Sequence, residues 1–254
     1  MIASLGTSCK KEFSMKNTSK LFGFIALVAV IGFSMSACGG DDNDGGGGGN
    51  GSLGNTLTIT NAQVYSEDSN DQLVEFTGTV QNLNYVEVKN KNRDGDFSVL
   101  KSLNELIDGN PTVTLINGKL NVTLGTPKAS SLENFDTSEL PPGITVSTTG
   151  VKVFIINIFY DSPTWNDNRV MQSTYYPSFD PSRDTHMHVN YIYSNKDVNI
   201  SGTYIYDEYS FTYTYAMNLK AGWNSVLETT KDIEGGFLSY KTGTPPSDCK
   251  WIIY

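Results

Sequence analysis

Residues 198–219 read Val-Asn-Ile-Ser-Gly-Thr-Tyr-Ile-Tyr-Asp-Glu-Tyr-Ser-Phe-Thr-Tyr-Thr-Tyr-Ala-Met-Asn-Leu and carry the clearest structural signal in the chain. Two runs of alternating residues, 198–206 and 209–219, flank Asp207-Glu208. Because alternation with period two is typical of strands, the stretch predicts two strands joined in a hairpin. Large side chains share one face of the second strand, at Tyr209, Phe211, Tyr213, Tyr215, Met217 and Leu219. We expect this face to point into a sandwich, the alternative being an exposed aromatic platform for a sugar or another protein.

Similar short runs rich in Val, Ile, Thr, Tyr and Phe continue from residue 56 to the end, separated by Asn, Asp, Gly and Pro. The further predicted strands cover residues 56–65, 73–81, 85–89, 112–116, 119–124, 151–160, 187–193, 225–230 and 250–254. So many short strands predict an all-β fold, an antiparallel β-sandwich of immunoglobulin-like or related topology. The motif Leu-Gly-Thr-Pro at 124–127 is echoed by Thr-Gly-Thr-Pro at 242–245, which suggests two halves meeting near Gly150.

Three local patterns refine the prediction. Asn117-Gly118 separates two of the runs and predicts a two-residue hairpin turn, because both residues tolerate positive φ. The continuous apolar run at 151–160 predicts a central strand covered on both faces. One short helix is expected at 98–107, where apolar residues recur at helical spacing and Gly109 follows.

The charge balance limits the classes of partner. Residues 1–37 hold four of the 18 basic and one of the 27 acidic residues, so the remainder has 14 basic and 26 acidic residues and a net charge of −12. Nucleic-acid binding needs clustered Lys and Arg, so we expect no nucleic-acid partner. The same balance disfavours electrostatic docking on anionic lipid.

Residues 15–37 have the organisation of a bacterial signal peptide: a basic segment at 15–20, an apolar segment at 21–33 and small residues before Cys38. Residues 1–14 are then an upstream extension, and Met15 is a better start than Met1. Met35-Ser-Ala-Cys38 resembles the bacterial lipobox, with Met where Leu is usual. The resemblance implies removal of residues 1–37 and lipidation of Cys38, whose acyl chains (palmitate or similar) anchor the protein to a membrane. The alternative is an uncleaved transmembrane helix over 21–40, which carries no charge.

Residues 38–53 form a tether in this interpretation. They contain Gly-Gly-Asp-Asp-Asn-Asp and then the glycines 45–49. Nothing in the segment can bury apolar surface, so we expect it to be disordered, with the β-rich region beginning at 54. A Gly-rich coil of roughly 15 residues spans about 20–23 Å, enough to lift the folded part clear of the headgroups.

Several short segments resemble uncharacterised lipoproteins of the spirochaete and Bacteroidetes type. They are Tyr-Ile-Tyr-Ser-Asn-Lys-Asp-Val-Asn-Ile-Ser-Gly at 191–202, Asn-Leu-Lys-Ala-Gly-Trp-Asn at 218–224, Gly-Thr-Pro-Pro at 243–246, Lys-Trp at 250–251, and Asn-Gly-Lys-Leu with Leu-Gly-Thr-Pro at 117–127. The resemblance implies a β fold and a place in the cell envelope, at the outer membrane or cell surface. It implies no catalytic residue.

The candidate site residues form two groups. Trp165, Tyr175 and Tyr176 belong to a Pro- and Asp-rich region, where exposed aromatic side chains are suited to binding. His186 and His188 share one strand face and are weak metal candidates, with Asp184 as a further oxygen donor, but a clear third ligand is missing. We expect no cofactor and assign no catalytic residue, since no recognisable hydrolase, metalloprotease or phosphate-binding motif occurs.

Together these observations favour a membrane-anchored, surface-exposed lipoprotein with a non-catalytic binding or adhesion role. The partner would be a protein or a glycan, contacted through loops at about 161–183. One alternative is a structural envelope lipoprotein without a dedicated ligand. The other is a secreted-type hydrolase, which would need paired carboxylates in a deep pocket.

The lipid anchor gives a first prediction. Mass analysis of the membrane-extracted protein should find Cys38 as the N-terminus, with the added mass of acyl chains. Cys38→Ser should release the protein from membranes, because its attachment depends on those chains. An intact leader, or unchanged membrane partitioning of the variant, would contradict the assignment.

Overall fold

A computed structural model describes residues 51–253 except 71, 81–82, 93–94, 136, 157–158, 161–169, 176–184, 208–209 and 232–234. For residues 89–92, 95–98, 139, 160 and 170–175 it describes the backbone but not the side chains. The predicted signal peptide and most of the tether therefore lie outside the described residues. The described chain is all-β and sandwich-like, with one single-turn helix, α1 (Leu103–Leu106). No helix among the described residues has the length and apolar character needed to cross a membrane.

The strands are numbered in chain order. They are β1 (Ser52–Gly54), β2 (Leu57–Glu67), β3 (Leu73–Glu75), β4 (Tyr85–Asn92), β5 (Gly95–Ser102), β6 (Thr112–Ile116), β7 (Lys119–Leu124), β8 (Glu133–Asn134), β9 (Thr145–Val146), β10 (Lys152–Ile156), β11 (Phe159–Tyr160), β12 (Val170–Tyr175), β13 (Thr185–Ser194), β14 (Val198–Tyr206), β15 (Phe211–Leu219), β16 (Gly222–Lys231), β17 (Phe237–Thr242) and β18 (Lys250–Ile253).

The longest ladder joins β13 and β16, antiparallel over ten residue pairs from Thr185–Lys231 to Ser194–Gly222. From β16 the sheet continues through β17, β15 and β14, with β15 and β17 parallel and the other pairs antiparallel. The other edge of β13 contacts β10 and β12, and β12 leads through β18 to β2. Strand β2 also pairs with β7, and β7 with β6.

Two cores lie on the two faces of this sheet. The first core contains residues of β2, β6, β7 and α1 together with Val189, Tyr191 and Trp223 of the central ladder. The second core contains Ile192 and Val226 of the same ladder and residues of β14, β15 and β17. Neighbouring residues of β13 thus face opposite cores, which is the expected result of side-chain alternation along a strand buried on both sides.

The two ends of the central ladder differ in what adjoins them. We call the end at Ser194 and Gly222 the tether end, because β1 pairs there, with Ser52 opposite Asn224. The end at Thr185 and Lys231 is the loop end. Because each strand rises by about 3.4 Å per residue, the two ends of this ten-pair ladder are about 30 Å apart.

The hairpin predicted at 198–219 is confirmed, with Val198 opposite Leu219 and Tyr206 opposite Phe211. The inward orientation of its large face is confirmed as well, since Tyr213, Tyr215 and Met217 are buried in the second core. The predicted strands at 112–116 and 119–124 match β6 and β7, and Asn117 and Gly118 between them both have positive φ. Positive φ at both central residues is the requirement of the turn predicted there.

The run at 151–160 forms β10 and β11, with 157–158 outside the described residues. In β10, Val153 faces the second core and Phe154 the first, so the predicted coverage on both faces is confirmed there.

The predicted helix at 98–107 is wrong over its first half. Residues 98–102 belong to β5, which pairs with β4 over its whole length, and only Leu103–Leu106 are helical. Val99 and Leu100 fit helical spacing, but pairing with β4 satisfies their backbone groups in an extended conformation. The sequence pattern also missed the short strands β1, β8 and β9, as well as β12 and β17. The proposed division into halves near Gly150 stays a prediction.

The turn at Gly118 gives a stability prediction with a matched control. Gly118 has φ +72°, and a Cβ there would collide with the Phe76 carbonyl oxygen. Gly109 has φ +82°, and a Cβ there would meet nothing within 4 Å. Gly118→Ala should therefore lower the free energy of unfolding by about 3 kcal/mol or more, and Gly109→Ala by about 1 kcal/mol. Urea unfolding measures both, and equal losses would contradict the collision.

Candidate functional site

Most of the residues that the sequence analysis proposes for lipidation or partner binding are not among those that the structure describes. Cys38, Trp165 and Tyr176 are not among the described residues. Tyr175 is the last residue of β12 and lies opposite Met187, near the loop end, but its side chain is not described. The binding role of these aromatic residues stays a prediction.

The two histidines lie on one face of β13, as their spacing predicts. Their ring centroids are 4.9 Å apart, at an interplanar angle of 69°. His188 is buried and His186 is half-buried. Asp184, the suggested oxygen donor, lies outside the described residues. Among the residues the structure does describe, no three His, Cys, Asp or Glu side chains come together as metal ligands.

A residue that the sequence analysis did not single out stands directly opposite His188. Glu228 of β16 is opposite His188 on one side and opposite Tyr240 of β17 on the other. It is 7% exposed. The sequence held a signal for this position, because Val226 and Glu228 are two residues apart and so share a strand face. That signal is easily missed among 27 acidic residues.

Polar and aromatic groups surround this carboxyl group. Asn190 Nδ2 donates a hydrogen bond of 2.9 Å to Glu228 Oε2. The rings of Tyr215 and Tyr240 stack at a centroid distance of 5.2 Å and an interplanar angle of 28°. We call these residues, Glu228, Asn190, His188, Tyr215 and Tyr240, the Glu228 cluster.

Burial controls the electrostatics of the cluster. It raises the pKa of Glu228 to about 8, and the hydrogen bond from Asn190 offsets part of that shift. Burial also raises the pKa of Tyr215 and of Tyr240, and the nearby Glu228 charge adds to both shifts. No lysine or arginine among the described residues pairs with Glu228. The carboxyl group is therefore predominantly protonated and neutral at pH 7.

Three buried polar atoms of the cluster have no hydrogen-bond partner among the described residues. They are Asn190 Oδ1, Tyr215 Oη and Tyr240 Oη. Tyr215 is 4% exposed and Tyr240 3%. A buried polar group without a partner costs about 1–3 kcal/mol, so three such atoms in one cluster are a reason to consider a bound ligand or water there.

The chemistry of the cluster differs from that of a glycosidase. Retaining and inverting glycosidases need two carboxyl groups about 5–10 Å apart. Glu228 is the one buried carboxylic acid in the described part of the chain. A single protonated acid beside an amide and two phenols can bind polar or charged groups. The cluster does not supply the pair of carboxyl groups that glycosidases need.

The raised pKa gives a prediction about stability against pH. Between about pH 4.5 and 8 the unfolded chain loses the Glu228 proton while the folded protein keeps it, so ionisation of this residue lowers stability as pH rises. Glu228→Gln removes that penalty. The free energy of unfolding of the variant, relative to wild type, should increase by about 1.4 kcal/mol per pH unit across this window.

Urea unfolding at pH 5, 6, 7, 8 and 9 measures the difference. Glu75→Gln is the matched control, because Glu75 is exposed at the end of β3. Its curve should run parallel to that of wild type. A constant difference between Glu228→Gln and wild type at all pH values would show that Glu228 has an ordinary pKa.

Comparison with known proteins adds no template for this site. The chain matches no protein-family model, no curated protein and no solved structure. The Glu228 cluster is therefore interpreted from its own residues and chemistry.

Proposed function

We propose that the chain is a membrane-anchored lipoprotein, displayed at the cell surface, that binds a protein or glycan partner without catalysis. The supporting observation is that different segments of the chain adjoin the two ends of the central ladder. The segment that follows the predicted tether pairs at one end of the ladder, and several connecting segments leave from the other. A partner that approaches from outside meets the loop end first.

The entry point of the tether is firmly positioned in the fold. The Gly51 carbonyl oxygen accepts a hydrogen bond of 2.7 Å from Ser225 N and another of 3.2 Å from Ser225 Oγ. Gly51 has φ +65°, and a Cβ there would lie 2.7 Å from Ser225 O and 2.8 Å from Gly243 N. Only glycine fits this position without a shift of the backbone. The tether can therefore use only the part of the chain between Cys38 and Gly51.

The loop end lies about 30 Å from this entry point. Strands β13, β15 and β17 begin there, and β14 and β16 end there. Segment 176–184 joins β12 to β13, 207–210 joins β14 to β15, and 232–236 joins β16 to β17. The first of them contains Tyr176 and follows Tyr175, two of the aromatic residues that the sequence analysis favours for binding. Because loops on a rigid scaffold are frequent binding elements, this end is the proposed contact surface.

Site-specific labelling tests the orientation. Asp207 is exposed at the loop end and Ala221 is exposed at the tether end. Asp207→Cys and Ala221→Cys form a matched pair, since Cys249 is buried and should not react. On intact cells a small, membrane-impermeant maleimide should label both variants. A bulky polymer-linked maleimide should label position 207 several-fold faster, because the bilayer obstructs position 221.

The same two variants test binding. In a screen of the full chain against immobilised glycans and envelope proteins, a bulky group at position 207 should weaken retention several-fold more than one at position 221. Labelling of both variants only after cell lysis would contradict surface display. Faster labelling at position 221 would reverse the orientation, and retention by no partner would favour a structural envelope protein.

A further inference from the structure

The polar atoms of the Glu228 cluster share one property, which is that they can accept hydrogen bonds. Asn190 Oδ1 is an acceptor only, while the Tyr215 and Tyr240 hydroxyl oxygens can accept as well as donate. All three are buried and lack a partner among the described residues. Glu228 becomes an acceptor with a full negative charge once it loses its proton. The cluster therefore offers oxygen atoms to a group that carries several donors.

Several described residues face this acid from the neighbouring strands. His188 faces it from β13, Tyr240 from β17 and the stacked Tyr215 from β15, and Asn190 donates a hydrogen bond to the carboxyl group. No lysine or arginine among the described residues pairs with Glu228. A buried carboxylate without a cation is unfavourable, so a cationic ligand is the class of molecule that would stabilise its charged form.

Aromatic rings extend the site on one side. Tyr215 and Tyr240 stack against each other. Tyr213, two residues before Tyr215 and on the same strand face, packs against Phe211 at a centroid distance of 5.1 Å. Electron-rich ring faces attract cations within about 6 Å, and the attraction is larger where water is excluded.

We propose that the Glu228 cluster is a binding site for a small organic cation with a primary ammonium group, held by the Glu228 carboxylate, the Asn190 side-chain oxygen and the phenol oxygens of Tyr215 and Tyr240. An ammonium group has three donors and one positive charge. Its three donors can satisfy three of these four acceptor groups at a time, and its charge balances one carboxylate. Glu228 releases its proton to solvent when the cation binds, so the net charge of the site stays at zero.

We expect a ligand to enter the site from the loop end. Glu228 lies three residue pairs from that end of the ladder, about 10 Å in. On the same strand faces, the burial decreases toward the loop end: His186, Thr230 and Phe211 are half-buried, whereas Asn190 is fully buried. The site lies about 10 Å below the proposed partner surface, at the same end of the ladder, and its test requires neither the lipid anchor nor a partner.

A metal ion fits the same residues less well. Divalent cations favour six or more oxygen ligands or several histidine and carboxylate ligands, and this cluster contains one carboxylate. A monovalent metal ion has the right charge but no directional donors for three acceptors. Potassium is therefore the informative competitor in a binding experiment.

Methylammonium is the probe, because it is the smallest primary ammonium ion that carries an alkyl group. The full chain in detergent is melted with 100 mM methylammonium chloride, potassium chloride or methanol, at pH 6 and at pH 8. Methylammonium should raise Tm by about 2–4 °C at pH 8 and by less than about 0.5 °C at pH 6. The difference arises because binding requires ionised Glu228, so the affinity should rise about tenfold per pH unit below pH 8. The ligand itself stays protonated, as primary ammonium groups do up to about pH 10.

Variants distinguish binding at the Glu228 cluster from a general effect of salt on Tm. Glu228→Gln keeps the shape of the neutral acid and should abolish the shift at both pH values. Tyr240→Phe removes one oxygen and should reduce the shift without lowering Tm in the absence of ligand. Glu75→Gln should behave as wild type. An equal shift with potassium or methanol, an equal shift at pH 6 and pH 8, or a shift that persists in Glu228→Gln would each overturn the proposal.

Discussion

The antiparallel ladder between β13 and β16 is the interaction on which the rest of the structure depends. Its ten residue pairs place one set of side chains in the first core and the alternate set in the second. Trp223 shows the connection most directly, because it packs edge-on against Phe154 and Tyr193 and donates its indole N–H to the Gly125 carbonyl oxygen at 2.9 Å. The ladder thus fixes the N-terminal strands and the C-terminal sheet to one shared element.

The same ladder contains a polar group that is costly to bury. A carboxylic acid at Glu228 has to stay neutral to remain buried, and two phenols and an amide oxygen near it have no hydrogen-bond partner among the described residues. Packing with apolar residues of similar size would avoid both penalties. A cluster of this kind is consistent with a site that is completed by a ligand, since functional sites often depart from the packing rules that the rest of a fold obeys.

The ladder also gives the domain a direction. Gly51, which follows the predicted tether, is hydrogen-bonded to Ser225 at one end, and the connections between the C-terminal strands leave from the other. The Glu228 cluster lies near that second end, within the second core. The proposed attachment, the proposed cation site and the proposed partner surface therefore follow one another in this order along one pair of strands. A rigid, doubly covered sheet suits this arrangement, because it holds distant surfaces in a constant relation.

The sequence by itself determined the features that depend on local pattern. Alternation at 198–219 gave a hairpin and its buried face, Asn117-Gly118 gave a turn with two positive φ angles, and the run at 151–160 gave a strand covered on both sides. The tertiary structure decided what depends on partners distant in the chain. Residues 98–102 pair with β4 as a strand although their spacing favours a helix, and Glu228 is buried because His188 and Tyr240 flank it. Side-chain periodicity is a property of neighbouring residues, whereas strand pairing and desolvation arise only when separate segments meet.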